Sequence, residues 1–183
     1  MLLSRPIFRS LSLPLFLALL LSACNPIAAS IPPPQAVQSS GCPVTQPTES
    51  PYTPPPPYPT PPEGYFWYGS DALWTGLPLD GVWWGLPKQA DGGFGQKFFV
   101  WRVGYDPMQE LQPALTVNGR RLDGGAPPLT GHVPATHAFA PDIHSAMLTG
   151  INIPTAGCWE VTATYTPAEG GSTALTFVVE VEE

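Results

Sequence analysis

The sequence predicts an all-β domain over residues 63–183, and three observations predict it. Apolar and polar residues alternate with period two over short segments, as in strands that bury one face. Glycine and proline, 18 and 26 of the 183 residues, separate these segments. Helix-forming residues are scarce, so long helices are not expected. We therefore expect a single antiparallel β-sandwich, because short strands between frequent turns are typical of that class and the segment is long enough for one core.

The last two strands are the clearest elements. Apolar residues alternate with polar ones from residue 159 to 165, and residues 175–181 repeat the pattern. Between them lies Pro167-Ala168-Glu169-Gly170-Gly171, which is rich in turn-forming residues. This arrangement predicts an antiparallel hairpin with one buried face and one solvated face.

Upstream strands are predicted by the same criteria. The candidate segments are residues 65–68, 72–77, 97–103, 114–117 and 144–153. Asn118-Gly119 follows the fourth segment and is typical of a tight hairpin turn. We therefore expect the chain to reverse there and to return through residues 120–122.

One segment resembles a known class of domain. Gly157-Cys158-Trp159-Glu160-Val161-Thr162-Ala163, followed by the terminal strand, resembles the last hairpin of immunoglobulin-like bacterial domains. The resemblance implies an immunoglobulin-like β-sandwich. Cys158, however, has the parity of Glu160 and Thr162, so we expect it to face away from the core.

The N-terminus carries an export signal. Arg5 and Arg9 precede an apolar run at residues 11–21, and small residues follow it, which is typical of a signal peptide. The run is shorter than the roughly 20 residues of a transmembrane helix. Cleavage at an ordinary Ala-x-Ala site is the other alternative, but the small residue two places before Ala23 is missing.

The end of this signal, Leu21-Ser22-Ala23-Cys24, resembles the lipobox of bacterial lipoproteins. The resemblance implies that residues 1–23 are removed and that Cys24 is acylated. The lipid then anchors the protein to the cell membrane on its extracytoplasmic side. A single acyl chain binds membranes only marginally, so two or more are expected for a stable anchor.

Residues 24–62 are predicted to be a Pro-rich disordered linker, or stalk. Half of the 26 prolines lie between residues 32 and 62, and such segments favour extended polyproline II structure. Three cysteines are present, so lipidation of Cys24 leaves Cys42 and Cys158. Export permits a disulfide between them, with two free thiols as the alternative. If Cys42 is bridged, residues 43–62 are expected to lie along the domain surface, helped by packing of Tyr52 and Tyr58.

Charge limits the class of partner. The formal net charge is −7, and removal of residues 1–23 takes away two of the seven basic residues. An acidic surface repels nucleic acid and anionic lipid headgroups, so neither is an expected partner.

A cluster of aromatic residues is the first candidate site. Trp67, Trp74, Trp83 and Trp84 lie close together in sequence among glycines. Neighbouring strand residues point to opposite faces, so some of these rings are expected to be exposed, where they can stack on sugars or anchor a protein. The alternatives are that the linker covers them or that they cap the core.

Metal binding and catalysis have weaker signals. His132, His137, Asp142 and His144 are residue types that ligate zinc or copper, but their spacing matches no compact metal motif. No nucleophile elbow, zinc-protease motif or phosphate loop is present. The acids that might pair as in glycosidases stand in turns, where acids are commonly structural; they are Glu63, Asp71, Asp80 and Asp91.

The sequence therefore predicts a membrane-anchored lipoprotein whose β-sandwich is a binding or structural module of the cell envelope. No enzyme activity, resident metal or cofactor is expected. The expected partner is an envelope protein or a glycan. The alternatives are a carbohydrate-binding module that uses the tryptophans and a copper or zinc carrier.

Overall fold

The computed structural model describes residues 41–183, and every regular element within them is a β-strand. The all-β prediction is therefore confirmed. The ten strands are β1 (Tyr65–Ser70), β2 (Leu73–Pro78), β3 (Val82–Trp83), β4 (Phe94–Val100), β5 (Leu115–Arg121), β6 (Leu129–Gly131), β7 (Thr136–Ala140), β8 (His144–Ile153), β9 (Gly157–Tyr165) and β10 (Thr173–Val181).

Eight of these strands form one curled sheet. Its order is β3-β10-β9-β5-β6-β8-β4, and β7 pairs with β8 beside β6. All pairings are antiparallel except that of β3 with β10. Strands β1 and β2 form a separate antiparallel hairpin.

The curl brings the two ends of the sheet together over one core. Trp83 of β3 and Phe98 of β4 stand at opposite ends of the strand order, yet their ring centroids are 6.3 Å apart. Both rings also contact Phe177 of β10, at 6.0 and 5.7 Å. The result is a sandwich-like arrangement around a single aromatic centre.

The β1–β2 hairpin closes the gap between these ends. Trp74 of β2 exchanges two backbone hydrogen bonds of 2.9 Å with Trp101, directly after β4. The Tyr68 hydroxyl on β1 donates to the Thr176 carbonyl of β10 at 3.0 Å. The hairpin is therefore tied to both sides of the opening.

The predicted C-terminal hairpin is confirmed. β9 and β10 pair antiparallel along their whole length, with Val161 opposite Phe177. Both of these side chains are buried, and the turn lies where the glycines predicted it. The strand predicted at residues 144–153 is also present, as β8, while β4 begins and ends three residues before the predicted segment.

The turn predicted at Asn118-Gly119 is wrong. β5 runs straight through both residues, pairing with β9 on one side and β6 on the other. Gly119 serves close packing instead: a Cβ there would lie 2.8 Å from the Glu160 carbonyl oxygen and 3.1 Å from the Leu129 Cβ. A glycine inside a strand can mark a close approach as well as a turn.

Residues 41–62, here called the strap, pack onto the sheet. The Thr45 amide donates to the Val178 carbonyl at 2.9 Å, and the Thr45 hydroxyl accepts from the Val178 amide at 2.8 Å. This is the arrangement expected for a bridged Cys42. The folded unit therefore begins N-terminal of the predicted boundary at Glu63. The predicted signal peptide, Cys24 and the rest of the predicted linker, up to residue 40, lie outside the described residues.

The strap is fixed at its start by a disulfide. Cys42 and Cys158 are bonded, with Cα atoms 5.4 Å apart and a sequence separation of 116. Cys158 lies on the strand face opposite the fully buried Trp159, as its parity predicted. It is nevertheless only 2% exposed, because Cys42 and the strap cover that face.

Candidate binding grooves beside β4

The strap builds a second aromatic cluster outside the main core. Trp67, Trp74 and Trp101 pack together there, and Tyr52 and Tyr58 of the strap cover them. The Tyr52 hydroxyl donates to an Asp71 carboxylate oxygen at 2.7 Å, and the Tyr58 hydroxyl donates to the Arg102 carbonyl at 2.8 Å. Burial is the main cause that raises the pKa of both phenols, so they stay protonated.

This packing determines how exposed each of the four candidate tryptophans is. Trp67, Trp74 and Trp83 are 5%, 0% and 4% exposed, whereas Trp84 is 71% exposed. The strap covers Trp74, and Trp83 enters the main core. An exposed platform of four rings therefore does not form: only Trp84 is exposed, and the alternative that the linker end covers part of the cluster fits the structure.

The indole nitrogens of this cluster are satisfied by backbone. Trp67 Nε1 donates to the Pro59 carbonyl at 3.0 Å, and Trp101 Nε1 donates to the Ile143 carbonyl at 2.8 Å. The Trp67 and Trp101 rings meet edge to face, with centroids 5.0 Å apart. Both rings are therefore held in place, and both line the adjoining surface.

That surface is an aromatic groove of about 350 Å³ along β4. Its aromatic lining includes Tyr65, Trp67, Phe99 and Trp101. Tyr65 is 42% exposed and stands at its rim. The groove also has polar lining residues, which are Thr75, Gln96, Lys97 and Asp142.

A second groove, of about 400 Å³, adjoins the first; most of its lining surface is apolar, and it is called the polar groove here because polar side chains are among the residues that line it. Gly95 of β4 and Gly150 of β8 are part of its floor. The Gln89 side chain lies over Gly95, and a Cβ on Gly150 would lie 3.0 Å from His132 Nδ1. The two glycines therefore leave room for Gln89 and His132 beside the sheet. Asn152 completes the polar lining.

The two grooves share Gln96 and Lys97. Lys97 differs electrostatically from every other cation of residues 41–183. The other four each lie within 4.0 Å of a carboxylate oxygen: Lys88, Arg102, Arg120 and Arg121. The Lys97 side chain has no ion pair or hydrogen bond within the described part of the chain, and it is exposed. Lys97 thus places an unpaired positive charge where the two grooves meet, on a domain whose net charge is negative.

The residues of this junction were not predicted as site residues. Gln89, Gln96 and Asn152 carry no recognisable motif, because they come from three separate segments. One signal was present: Lys97 precedes three apolar residues in a strand, and glycines at 95 and 150 interrupt two strands where backbones approach other groups.

The candidate metal ligands are not gathered into a site. Within residues 41–183 no group of three or more His, Cys, Asp or Glu side chains is arranged to hold a metal ion. His132 lies in the polar groove, whereas His144 packs against the rings of Tyr58 and Phe139. His137 Nδ1 lies 3.4 Å from the Leu111 carbonyl oxygen.

Three of the candidate acids serve local structure. Asp80 accepts from the Val82 amide, Asp91 accepts from the Gly93 amide, and Asp71 accepts from Tyr52. These are turn and tethering contacts rather than a facing pair of carboxylates. Glu63 is exposed next to β1.

Comparison with known proteins adds no relative. No family model, curated protein or solved structure matches this chain. In the described part of the chain, no helix has the length and apolar character required to cross a bilayer.

Proposed function

We propose that this protein is an exported lipoprotein, anchored through acylated Cys24, which presents its β-domain at the cell envelope as a non-catalytic binding module. The observation that carries the proposal is the Leu-Ser-Ala-Cys sequence directly after an apolar export segment. Lipid on this cysteine replaces a membrane-spanning segment as the means of attachment.

The disulfide supports this assignment of the three cysteines. Cys42 and Cys158 bind each other, so Cys24 is the thiol left for the lipid. The bridge also limits the free tether to residues 25–41. In extended polyproline geometry, at about 3.1 Å per residue, these residues reach roughly 50 Å from the bilayer.

Membrane fractionation of Cys24→Ser tests the proposal. The unaltered protein is expected in the membrane fraction and the variant in the soluble extracytoplasmic fraction or as an uncleaved precursor. The matched control is the double variant Cys42→Ser/Cys158→Ser, which keeps Cys24 and is expected to stay with the membrane. Processed, membrane-bound Cys24→Ser protein would refute lipid anchoring.

A further inference from the structure

We propose that the two adjoining grooves beside β4 form one binding site for a glycan chain that carries carboxylate groups, with Lys97 as the carboxylate contact. The inference deepens the proposed function, because it rests on the domain being a binding module. It does not depend on the lipid anchor, so the two proposals fail in different experiments.

The size and continuity of the surface favour a chain of several units. Each groove, at about 350 and 400 Å³, falls within the range of about 300–1,000 Å³ that is typical of ligand pockets. The two share Gln96 and Lys97, so they adjoin at these residues of β4.

The lining residues match both the apolar C–H groups and the polar hydroxyl groups of a sugar. In the aromatic groove, Tyr65 is the exposed ring on which the C–H face of a sugar can stack, and the buried Trp67 and Trp101 add apolar lining. In the polar groove, the amides of Gln89, Gln96 and Asn152 both donate and accept, as hydroxyl groups require. Within residues 41–183 none of these three amide side chains has a hydrogen-bond partner.

The charged residues that line the grooves indicate that the ligand carries a carboxylate, and they indicate where that carboxylate binds. Lys97 is the unpaired cation of the described domain, and it lies where the grooves meet. Asp142 lies in the aromatic groove and repels a carboxylate there. The net negative charge of the chain opposes a dense polyanion, so sparsely spaced carboxylates on an otherwise neutral chain fit best.

An acidic peptide fits this surface less well. Peptides commonly bind a sheet by adding a strand to its edge. The outer edge of β4 is already occupied near both ends: Lys88 forms a bridge with Phe94, and the Thr75 hydroxyl donates to the Phe99 carbonyl at 2.8 Å. Only the short stretch between them is left, so backbone pairing contributes little.

The test is binding of defined glycans to the purified full chain by calorimetry. The probes are hyaluronan hexasaccharide and peptidoglycan strands, each with its carboxylates intact and as the methyl ester. At least one carboxylated probe is expected to bind, and its ester is expected to bind at least about tenfold more weakly, because the ester has no charge for Lys97 to contact.

Two lysine variants form the matched pair. Lys97→Gln is expected to lose about as much affinity as esterification causes and to bind the acid and the ester equally. Lys88→Gln, which removes a lysine paired with Glu183 outside both grooves, is expected to bind like the unaltered protein. Tyr65→Ala is expected to weaken binding of both acid and ester. Unchanged thermal unfolding of each variant shows that it is folded.

Several outcomes would overturn the proposal. They are no binding of any carboxylated probe, equal binding of acid and ester by the unaltered protein, or equal effects of the two lysine variants. Lys97-dependent binding of poly-glutamate without binding of any glycan would assign the site to an acidic peptide instead. None of these results bears on fractionation of Cys24→Ser.

Discussion

Tyr58 meets Trp74 edge to face, with ring centroids 4.9 Å apart and ring planes at 89°. The contact joins the Pro-rich strap to β2, and it leaves Trp74 fully buried outside the main core. A segment whose composition predicts a free linker is thereby part of the folded domain. The first prediction concerns this contact.

Replacing Tyr58 with Ala removes the ring that covers Trp74 and the hydrogen bond to Arg102. Because the ring is half-buried, we expect the free energy of unfolding to fall by about 2–3 kcal/mol, at the low end for aromatic truncation. The tryptophan emission is expected to shift to longer wavelength as water reaches Trp74.

Tyr58→Phe is the matched control, because it keeps the ring and loses only the hydroxyl. Its loss is expected to be about 1 kcal/mol, with no shift in emission. Urea unfolding followed by fluorescence measures both quantities. If the alanine variant were as stable as the phenylalanine variant, the strap would not be part of the packed structure.

The disulfide is the second determinant of strap position. Cys42→Ser/Cys158→Ser is expected to lower the free energy of unfolding by about 4–5 kcal/mol, because the bridge closes a loop of 116 residues and restricts the unfolded chain. Denaturation with and without reductant measures this. Reductant is expected to lower the midpoint for the unaltered protein and to leave the double variant unchanged. If complete reduction left the denaturation midpoint of the unaltered protein unchanged, the prediction would be contradicted.

Gly119 is expected to tolerate no side chain. In Gly119→Ala the new methyl group meets the Glu160 carbonyl oxygen and Leu129, and such overpacking costs about 1–3 kcal/mol. Gly125→Ala is the control, since a Cβ there has no atom within 4 Å. It is expected to be neutral or slightly stabilising. Equal thermal stability of the two variants would show that β5 is not held between β6 and β9.

High pH is expected to destabilise the domain through buried tyrosines. Burial, assisted by the charge of Glu110, raises the pKa of Tyr105 from 10.0 to about 12. Since the folded-state pKa is above the unfolded one, the stabilisation is complete below pH 10 and is lost as the pH rises towards 12. Unfolding free energies between pH 8 and 12 measure this. The unfolding free energy of Tyr105→Phe is expected to fall less steeply with rising pH. An identical pH dependence in the variant and the unaltered protein would contradict the assignment of this effect to Tyr105.

Apolar and polar residues alternate most regularly in the strands that have one buried face and one exposed face. β9 and β10 each have one face in the core and one more exposed face, so the alternation of apolar and polar residues in the sequence predicts both strands. β4 was harder to bound, because Phe98 enters the main core while Phe99 packs against the strap-covered cluster, and its sequence lacks alternation.

The strap and the grooves depend on long-range contacts that local sequence does not encode. The Pro-rich composition indicates extended backbone but not the surface on which Tyr52 and Tyr58 come to rest. The groove residues Gln89, Gln96 and Asn152 meet only because the Pro87–Gln89 loop, β4 and β8 lie side by side. Cysteine pairing was predictable, because assigning Cys24 to a lipid leaves only Cys42 and Cys158 to pair.

The most direct test of the central claim is the intact mass of the mature protein extracted from membranes, with fragmentation of its N-terminal peptide. We predict that the chain begins at Cys24, that this residue carries covalent acyl chains, and that Cys42 and Cys158 are linked to each other. A mature chain that begins elsewhere, or that begins at Cys24 without lipid, would contradict the account.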